Sequence, residues 1–295
     1  MYTDACFKEK PISLKTSFVS NNALVLPKRK TMDLQLKNKK ALVTGSTAGI
    51  GYAIAKQLAK ENAQVYVNGR TNERVEAAIK KLKEETGNQD IHGLIADFSN
   101  SKEIDNLIQQ LPEVDILVNN VGIFEPKAFR DITDADWMKF FEVNVLSGVR
   151  LARAYFDKMI AQNWGRIIFI SSESAIQIPD EMIHYGMTKT AQIAVSRGLA
   201  ELTKGTDVTV NTVLPGPTFS EGAGDFIEKL AKDQNKSIHD IEKEFFQYMR
   251  PTSLLQRFTS TDEVANMVAY VASPLSSATN GAALRADGGV VKGIL

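Results

Sequence analysis

Two residues in the stretch "IHYGMTKTAQ", Tyr185 and Lys189, have side chains that could transfer a proton together. They are four residues apart in a segment without proline, and a helix would place them on one face. A positive charge beside a phenol lowers the phenol pKa and makes it a better acid–base catalyst near neutral pH. A packing or cation–π pair is the alternative for this spacing, and the pair alone does not decide between the two.

A glycine-rich stretch, "TGSTAGIG", covers residues 44–51 and separates an apolar run from an amphipathic one. Gly45, Gly49 and Gly51 leave room for a tight turn in which backbone N–H groups and the start of a helix face an anion. Strand, glycine-rich turn and helix in this order are typical of a site for dinucleotide phosphates. Glycines in such a turn can also be purely conformational, and this motif alone leaves that alternative open.

Composition restricts the class of protein. Lysine plus arginine and aspartate plus glutamate number 35 each in 295 residues, so net charge does not indicate nucleic acid or an anionic membrane as the partner. The single cysteine, Cys6, excludes an intrachain disulfide, and three scattered histidines do not suggest a metal site. The apolar runs in the sequence are too short to span a bilayer. We therefore expect a cytoplasmic, metal-independent globular protein.

Short apolar runs alternate with amphipathic stretches from Leu36 onward. Strands are predicted at "KALVTG", "AQVYVNG", "IHGLIAD", "VDILVNN", "GRIIFISS", "DVTVNTVLPG" and "NGAALRADGG". Helices are predicted between them, including a long one over residues 133–162 with a break near Asn144 and another over 185–204. This alternation predicts an α/β, doubly wound Rossmann fold, with a parallel sheet of about seven strands and helices on both faces.

Two regions depart from the alternation. Residues 1–32 lack sustained periodicity, and we expect a poorly ordered N-terminal arm or an extension upstream of a start at Met32. Residues 33–295 are predicted to form one domain with an insertion at about 218–258. The insertion begins with the small-residue loop "TFSEGAGD" and continues with two polar helical segments. It could close over a ligand at the carboxyl ends of the strands or simply pack against the domain, and both possibilities stay open.

Taken together, the motifs resemble those of the short-chain dehydrogenase/reductase family. "TGSTAGIG" is followed by "NNVG", "FEVNV", "ISSESA", "YGMTK", "LPGPT" and a late "DGG", in the order found in that family. Ser172 precedes Tyr185 by 13 residues and Asn144 precedes it by 41, and both intervals are typical of the family. The resemblance covers residues 38–289 and includes similarity to 3-oxoacyl-thioester reductases. Ala175, where the family often has glycine, is a departure.

The resemblance implies a catalytic tetrad of Asn144, Ser172, Tyr185 and Lys189. In this scheme Tyr185 exchanges a proton with the substrate oxygen, and Ser172 hydrogen-bonds the same oxygen. Lys189 lowers the pKa of Tyr185 and holds the cofactor ribose, while Asn144 keeps a water behind Lys189. Ser172 could instead only satisfy the end of a strand, and Asn144 could only kink its helix.

The end of the second strand indicates which nicotinamide cofactor is preferred. An acidic residue there would bind the adenosine ribose hydroxyls of NAD, but this chain has Gly69 followed by Arg70. A guanidinium can pair with the 2′-phosphate, so NADP(H) is the preferred cofactor and NAD(H) is the second choice. Ala48 argues the other way, because many NADP-preferring relatives have a basic residue there. Asp97 is expected to hydrogen-bond adenine. The cofactor contacts implied by the resemblance are Gly45, Ser46, Thr47, Gly49, Ile50, Gly51, Arg70, Asp97, Phe98, Asn119, Val121, Gly122, Tyr185, Lys189, Pro215, Gly216 and Thr218.

The sequence therefore predicts an NAD(P)(H)-dependent oxidoreductase that acts on a carbonyl or secondary alcohol, with 3-oxoacyl thioesters as one candidate substrate. A non-catalytic redox sensor would need only the nucleotide loop, and a structural scaffold would not need the tetrad spacing. The family resemblance also implies a homotetramer or homodimer that associates through the helices over 133–162 and 185–204.

Overall fold

The computed structural model describes residues 32–294, so the predicted N-terminal arm lies, apart from Met32, outside the described residues. The residues from Asp33 onward form one compact unit. Its strands are β1 Lys40–Val43, β2 Gln64–Gly69, β3 Ile91–Ile95, β4 Ile116–Asn119, β5 Gly165–Ile170, β6 Val208–Pro215, β7 Thr218–Phe219, β8 Thr259–Ser260 and β9 Ala283–Ala286.

Within this part of the chain, seven parallel strands form the central sheet in the order β3-β2-β1-β4-β5-β6-β9. All seven were predicted from the sequence. The order reverses direction between β1 and β4, which is the topological switch point where α/β sheets bind ligands. The two-residue strands β7 and β8 pair with each other outside this sheet.

Helices cover both faces of the sheet. They are α1 Gly49–Lys60, α2 Asn72–Thr86, α3 Ser101–Gln110, α4 Asp134–Phe141, α5 Ser147–Ala161, α6 Ile183–Glu201, α7 Glu221–Asp233, α8 Ile238–Glu244 and α9 Thr261–Ala272. On one face α1 and α9 pack against Val43, and on the other α3 and α5 pack against Leu42. Adjacent strand residues thus enter opposite cores, which explains why the strands are almost wholly apolar. The predicted doubly wound fold is confirmed.

The predicted break in the long helix lies where the sequence indicates it. Residues Glu142–Leu146, between α4 and α5, form a π-helical turn with Asn144 at its centre. The Asn144 side chain explains the break, because its amide accepts a hydrogen bond from the Ile123 N–H (2.7 Å) and donates one to the Ile123 carbonyl (3.0 Å). The turn therefore joins this helix to the loop after β4, and such π-helical turns are common at functional sites.

The segment 218–258 is more regular than expected. The prediction of a loop over "TFSEGAGD" is wrong, because β7 occupies its start and α7 begins at Glu221. The glycines in that stretch oppose a helix, but Ile227 and Ala231 of α7 pack with Ile241 of α8 in a small core, and this packing outweighs the propensity. The segment ends with a second π-helical turn, Phe245–Met249.

Replacing Gly51 should test the tight approach of α1 to the turn after β1. An added Cβ would lie 2.4 Å from the Gly45 carbonyl oxygen and 2.5 Å from Asn120 Nδ2. We expect Gly51→Ala to lower the free energy of unfolding by about 1–3 kcal/mol, measured by urea denaturation. The matched control is Gly198→Ala in α6, where a Cβ meets no atom within 4 Å. It should stabilise the protein by about 0.5–1 kcal/mol, and equal losses in both variants would contradict this packing.

Candidate active site

A cleft of about 470 Å³ lies at the carboxyl ends of the first four strands. Three parts of the chain form its walls: the turn after β1, the ends of β2 and β3, and the loop after β4. Its lining residues are Gly45, Thr47, Asn68, Gly69, Arg70, Arg74, Ala96, Asp97, Phe98, Ser99, Asn120, Val121, Gly122, Ile123, Lys139 and Val143. Seven of the residues predicted to contact a cofactor are in this set: Gly45, Thr47, Arg70, Asp97, Phe98, Val121 and Gly122.

The glycine-rich turn has the geometry of an anion-binding loop. Gly45 and Gly49 have φ angles of +60° and +58°, which side chains other than glycine rarely adopt. Helix α1 begins at Gly49, and no side chain of the described residues caps its first N–H groups. Such a helix start, with its N–H groups and positive dipole end, suits a phosphate group. Ile50 and Gly51 follow in its first turn, where Gly51 has no room for a side chain.

A buried hydrogen-bond network fixes this turn from below. Asn68 accepts a bond from the Gly45 N–H (2.9 Å), and its side-chain amide donates to the carbonyls of Leu94 and Ala96. The Ser46 hydroxyl donates to the Val43 carbonyl and accepts from the Asn68 N–H. The Ser46 N–H donates to the Asn68 carbonyl, so the predicted contact of Ser46 with a cofactor is not supported by this geometry. Asn68 was missed because nothing in its local sequence shows that its amide links three strands.

The two asparagines of "NNVG" have different surroundings. Asn119 is buried, and its side chain has no hydrogen-bond partner within residues 32–294. Asn120, which was not predicted, lines the cleft and donates to the carbonyls of Thr44 (2.9 Å) and Gly45 (3.1 Å). Its N–H also donates to the Thr44 hydroxyl (2.9 Å). Asn120 therefore connects the loop after β4 to the glycine-rich turn, and Asn119 lies in the interior.

Basic side chains stand at the end of the cleft formed by β2 and β3. Arg70 and Arg74 are both exposed and line it, and Arg74 also forms an ion pair with Glu221 at the start of α7 (3.6 Å). Asp97 accepts hydrogen bonds from the N–H (2.9 Å) and hydroxyl (2.8 Å) of Ser99. These bonds, together with the charge of Arg70, lower the pKa of Asp97. Arg74 was missed because its spacing from Arg70 carries no motif.

The residues predicted after β6 lie apart from the walls of the cleft. Pro215 ends β6, and Gly216 lies so close to Asp287 that an added Cβ would be 2.5 Å from the Asp287 carbonyl oxygen. The Thr218 hydroxyl donates to the Gly216 carbonyl (2.9 Å) and is 2.9 Å from the Thr259 hydroxyl. Thr218 is thus part of the joint between the sheet and the segment 218–258.

Two of the four predicted catalytic residues, Asn144 and Lys189, lie beside Gly122, which lines the cleft, and the other two lie close to Lys189 or to each other. Ser172, just after β5, is near enough to Tyr185 of α6 for its hydroxyl to favour the phenolate. Lys189, one turn further along α6, has its ammonium 5.6 Å from the centre of the Tyr185 ring. A Cβ added to Gly122 would lie 3.2 Å from Lys189 Nζ and 3.6 Å from Asn144 Oδ1. Ser171 points away, because its hydroxyl donates to the Lys189 carbonyl (2.8 Å).

The pKa of Tyr185 differs from the expectation. Burial raises it to about 12; the hydrogen bond with Ser172 and the charge of Arg250 act to lower it, while Glu173 raises it further. Burial also lowers the pKa of Lys189 to about 7. The expectation that Lys189 lowers the Tyr185 pKa is thus not met in this structure, because desolvation weakens the charged form of both residues.

Gln192, which the sequence did not single out, links Lys189 to Asn144. The Lys189 ammonium donates to the Ile170 carbonyl (2.9 Å) and to Gln192 Oε1 (3.3 Å). Gln192 Nε2 donates to the backbone carbonyl of Asn144 (2.6 Å). The Asn144 side chain also donates to the Thr188 hydroxyl (3.0 Å). A buried glutamine at this point therefore joins the π-helical turn to the lysine, which explains why both stay in place without exposure to solvent.

Comparison with known proteins assigns the family. Residues 39–230 match the model of the short chain dehydrogenase family. The chain belongs to the short-chain dehydrogenase family. It is 50% identical to the uncharacterized oxidoreductase YvaG of Bacillus subtilis, over 89% of this chain and 100% of that protein. It is 33% identical to the 3-oxoacyl-acyl-carrier-protein reductase FabG of Aquifex aeolicus, over 88% of this chain and 100% of that protein.

Solved structures of short-chain dehydrogenases have the same fold. The L-sorbose reductase from Gluconobacter frateurii, complexed with NADPH and L-sorbose, matches with a TM-score of 0.84 and 29% identity, over 89% of this chain and 100% of that one. This short-chain dehydrogenase is therefore an oxidoreductase, as the sequence predicted. None of the helices described in residues 32–294 is long and apolar enough to cross a membrane. In the same residues, no group of three or more His, Cys, Asp or Glu could hold a metal ion.

The hydrogen bonds that join Gln192 to Lys189 and Asn144 should contribute to the free energy of unfolding. Gln192→Leu removes a partner from the Lys189 ammonium and leaves the Asn144 carbonyl without its donor. We expect the free energy of unfolding to fall by about 1–3 kcal/mol in urea denaturation. Gln109→Leu on the exposed face of α3 is the matched control and should change it by less than about 0.5 kcal/mol. Equal stability of Gln192→Leu and the wild-type protein would show that the bridge contributes nothing.

Proposed function

We propose that this short-chain dehydrogenase transfers hydride between NADP(H) and the carbonyl or secondary alcohol of a small substrate. The observation that carries the proposal is that Lys189 and Asn144 lie beside Gly122, which lines a cleft whose glycine-rich turn suits phosphate, and that Tyr185 lies beside Lys189 and within the influence of Ser172. A non-catalytic dinucleotide sensor would need only the nucleotide-binding cleft and not these four residues. The cradle fits the cofactor because side chains are absent where phosphate must approach and two arginines stand at the β2 end.

In the reducing direction, bound NADPH supplies the hydride. The Tyr185 hydroxyl gives its proton to the substrate oxygen, and a pKa of about 12 keeps that proton available at neutral pH. The Ser172 hydroxyl, which donates to Glu173 Oε2 (2.8 Å) in this structure, turns to donate to the same oxygen and stabilises its developing charge. In the oxidising direction Tyr185 must first ionise, and the positive charge of an oxidised nicotinamide and of protonated Lys189 favours the phenolate.

Lys189 and Asn144 act behind Tyr185. We propose that the Lys189 ammonium holds the ribose hydroxyls of the cofactor, since its neighbour Gly122 lines the cleft. With a pKa of about 7, the charged and neutral forms of Lys189 coexist near neutral pH, so it can pass a proton inward or outward. The Asn144 carbonyl, bonded to Gln192, fixes the path along which such a proton would move.

Arg70 and Arg74 support NADP(H) as the preferred cofactor. Both guanidinium groups line the β2 end of the cleft. Position 69, where an acidic residue would bind the ribose hydroxyls of NAD, is a glycine. The remaining cofactor contacts stay predictions for Thr47, Gly49, Ile50, Asp97, Val121 and the residues after β6. A homotetramer or homodimer, built through α4, α5 and α6, also stays a prediction.

Two substrate classes follow from the relatives. One is the 3-oxoacyl thioester named for FabG, and the other is the hydroxylated ketone named for the sorbose reductase. The first assay is a panel of carbonyl compounds that contains an acetoacetyl thioester and L-sorbose, with NADPH and NADH followed by nicotinamide absorbance. Turnover of one class would support the proposal and identify the substrate type. Tight NADPH binding without turnover of any carbonyl compound would favour the sensor.

Tyr185→Phe should abolish most turnover. It removes the only atom of that side chain that can exchange a proton, and we expect kcat to fall by about 10²–10⁴-fold while NADPH affinity is unchanged. Fluorescence titration of NADPH measures the affinity. Tyr270→Phe, half-buried on α9 away from the cleft, is the matched control and should keep full activity. Near-normal activity of Tyr185→Phe would exclude the proposed acid.

Arg70→Ala should change the choice of cofactor. Loss of a charge-assisted contact to the 2′-phosphate should raise KM for NADPH by about 10–100-fold and leave KM for NADH within about twofold. Arg153→Ala, an exposed arginine on α5, is the control and should leave both constants unchanged. An equal loss with both cofactors would assign Arg70 to adenine stacking rather than to phosphate binding.

A further inference from the structure

A buried carboxylate follows the proposed catalytic serine directly in the chain. Glu173 is 3% exposed and lies in the short 3₁₀ turn Glu173–Ala175. Its Oε2 atom accepts hydrogen bonds from the Ser172 hydroxyl (2.8 Å) and from the Ser174 hydroxyl. The Ser172 oxygen in turn accepts from the Ser174 N–H (3.1 Å). The carboxylate therefore fixes the direction of the Ser172 hydroxyl.

The counter-ion of this carboxylate comes from the segment 218–258. Arg250, which ends the π-helical turn Phe245–Met249, is 8% exposed, and its Nε donates to Glu173 Oε1 (2.9 Å). Its Nη1 donates to the Met249 carbonyl (2.8 Å) and to Glu181 Oε1 (3.4 Å). The guanidinium also lies 5.9 Å from the Phe245 ring centre. The residues bonded to Arg250 thus fix it in one position.

Stability alone does not explain this pair. Removing two charges from water costs several kcal/mol, and apolar side chains of similar size often stabilise a protein as well or better. The pair is, however, the contact that joins segment 218–258 to the turn holding Ser172. Its two charges also act on the Tyr185 phenol in opposite directions.

We propose that Glu173 and Arg250 are positioning residues for the reaction, through which segment 218–258 orients the Ser172 hydroxyl and sets the charge around Tyr185. This inference rests on the proposed function of Tyr185 as acid and base. The charged groups that act on Tyr185 are Glu173 from the 3₁₀ turn and Arg250 from the segment, and the Lys189 ammonium of its own helix is 5.6 Å from its ring centre. Glu181 contacts Arg250 but not Ser172, so it offers a control within the same cluster.

The test is the pH profile of alcohol oxidation, in which Tyr185 must be ionised to accept a proton. Glu173→Gln removes the negative charge that raises the phenol pKa, so the rising limb should move to lower pH by about one unit. Arg250→Gln removes the positive charge that lowers the phenol pKa, so its limb should move to higher pH by about one unit. Arg250→Lys and Glu181→Gln should keep the limb of the wild-type enzyme.

Orientation of Ser172 gives a second readout. An amide at position 173 cannot accept from both Ser172 and the arginine, so kcat of Glu173→Gln should fall about tenfold while KM for NADPH stays constant. A purely structural pair would lower thermal stability without moving the pH limb. Limbs that move in the same direction in Glu173→Gln and Arg250→Gln, or that do not move in folded variants, would overturn the proposal.

The measurement remains decisive if one variant fails to fold or no substrate is found. If Glu173→Gln does not fold, the comparison of Arg250→Gln with Arg250→Lys still tests the charge effect. If the wild-type protein turns over no carbonyl compound, the proposed function fails separately. In that case the near-ultraviolet absorbance of ionised tyrosine, compared between Glu173→Gln and its double variant with Tyr185→Phe, reports the ionisation of Tyr185 directly. If Tyr185 ionises at the same pH in Glu173→Gln as in the wild-type protein, the proposed effect of Glu173 on Tyr185 is overturned.

Discussion

Parallel pairing of β1, β4 and β5 is the constraint on which the whole site depends. Val43 pairs with Val118, and Asn119 pairs with Phe169, so the three strands end at one edge of the sheet. Three segments therefore begin side by side at this edge: the glycine-rich turn, the loop with Gly122 and the turn with Ser172. Because each strand is buried on both faces, a shift in register would move apolar side chains out of both cores.

The sequence predicted the framework well and the supporting contacts poorly. Seven strands and the break at Asn144 follow from apolar periodicity, and the tetrad follows from family spacing. Asn68, Gln192 and Arg250 could not be predicted, because each bonds at least one residue distant in the chain and has no motif of its own. The start of α7 was not predicted because the glycines suggested a loop, whereas packing of its apolar face stabilises a helix there. Propensity and spacing are local, and these contacts are not.

The pKa values of the site, like the supporting contacts, could not be predicted from the sequence. Spacing alone suggested that Lys189 would make Tyr185 more acidic, but burial raises the Tyr185 pKa and lowers that of Lys189. A neighbouring charge and desolvation act on a phenol in opposite directions, and only the three-dimensional structure shows which is larger. The buried pair of Glu173 and Arg250 adds two further charges that no pattern in the sequence connects. The ionisation of the site is thus a joint property of α6, the turn after β5 and Arg250 at the end of the second π-helical turn.

The small core of the segment 218–258 has a consequence for how this enzyme could diversify. Ile227, Ala231 and Ile241 pack with one another, and Phe258 joins them, so the segment has a small apolar core of its own. Its attachments to the rest of the domain include the β7–β8 pair, the ion pairs of Arg250 and Glu221, and hydrogen bonds from Thr252, Leu254 and Leu255 to the carbonyls of Val290 and Gly288. Substitutions on its outer surface therefore need no compensating change in the nucleotide-binding half. Exchange of outward-facing residues in this single stretch would therefore leave the seven-stranded sheet and the glycine-rich turn as they are.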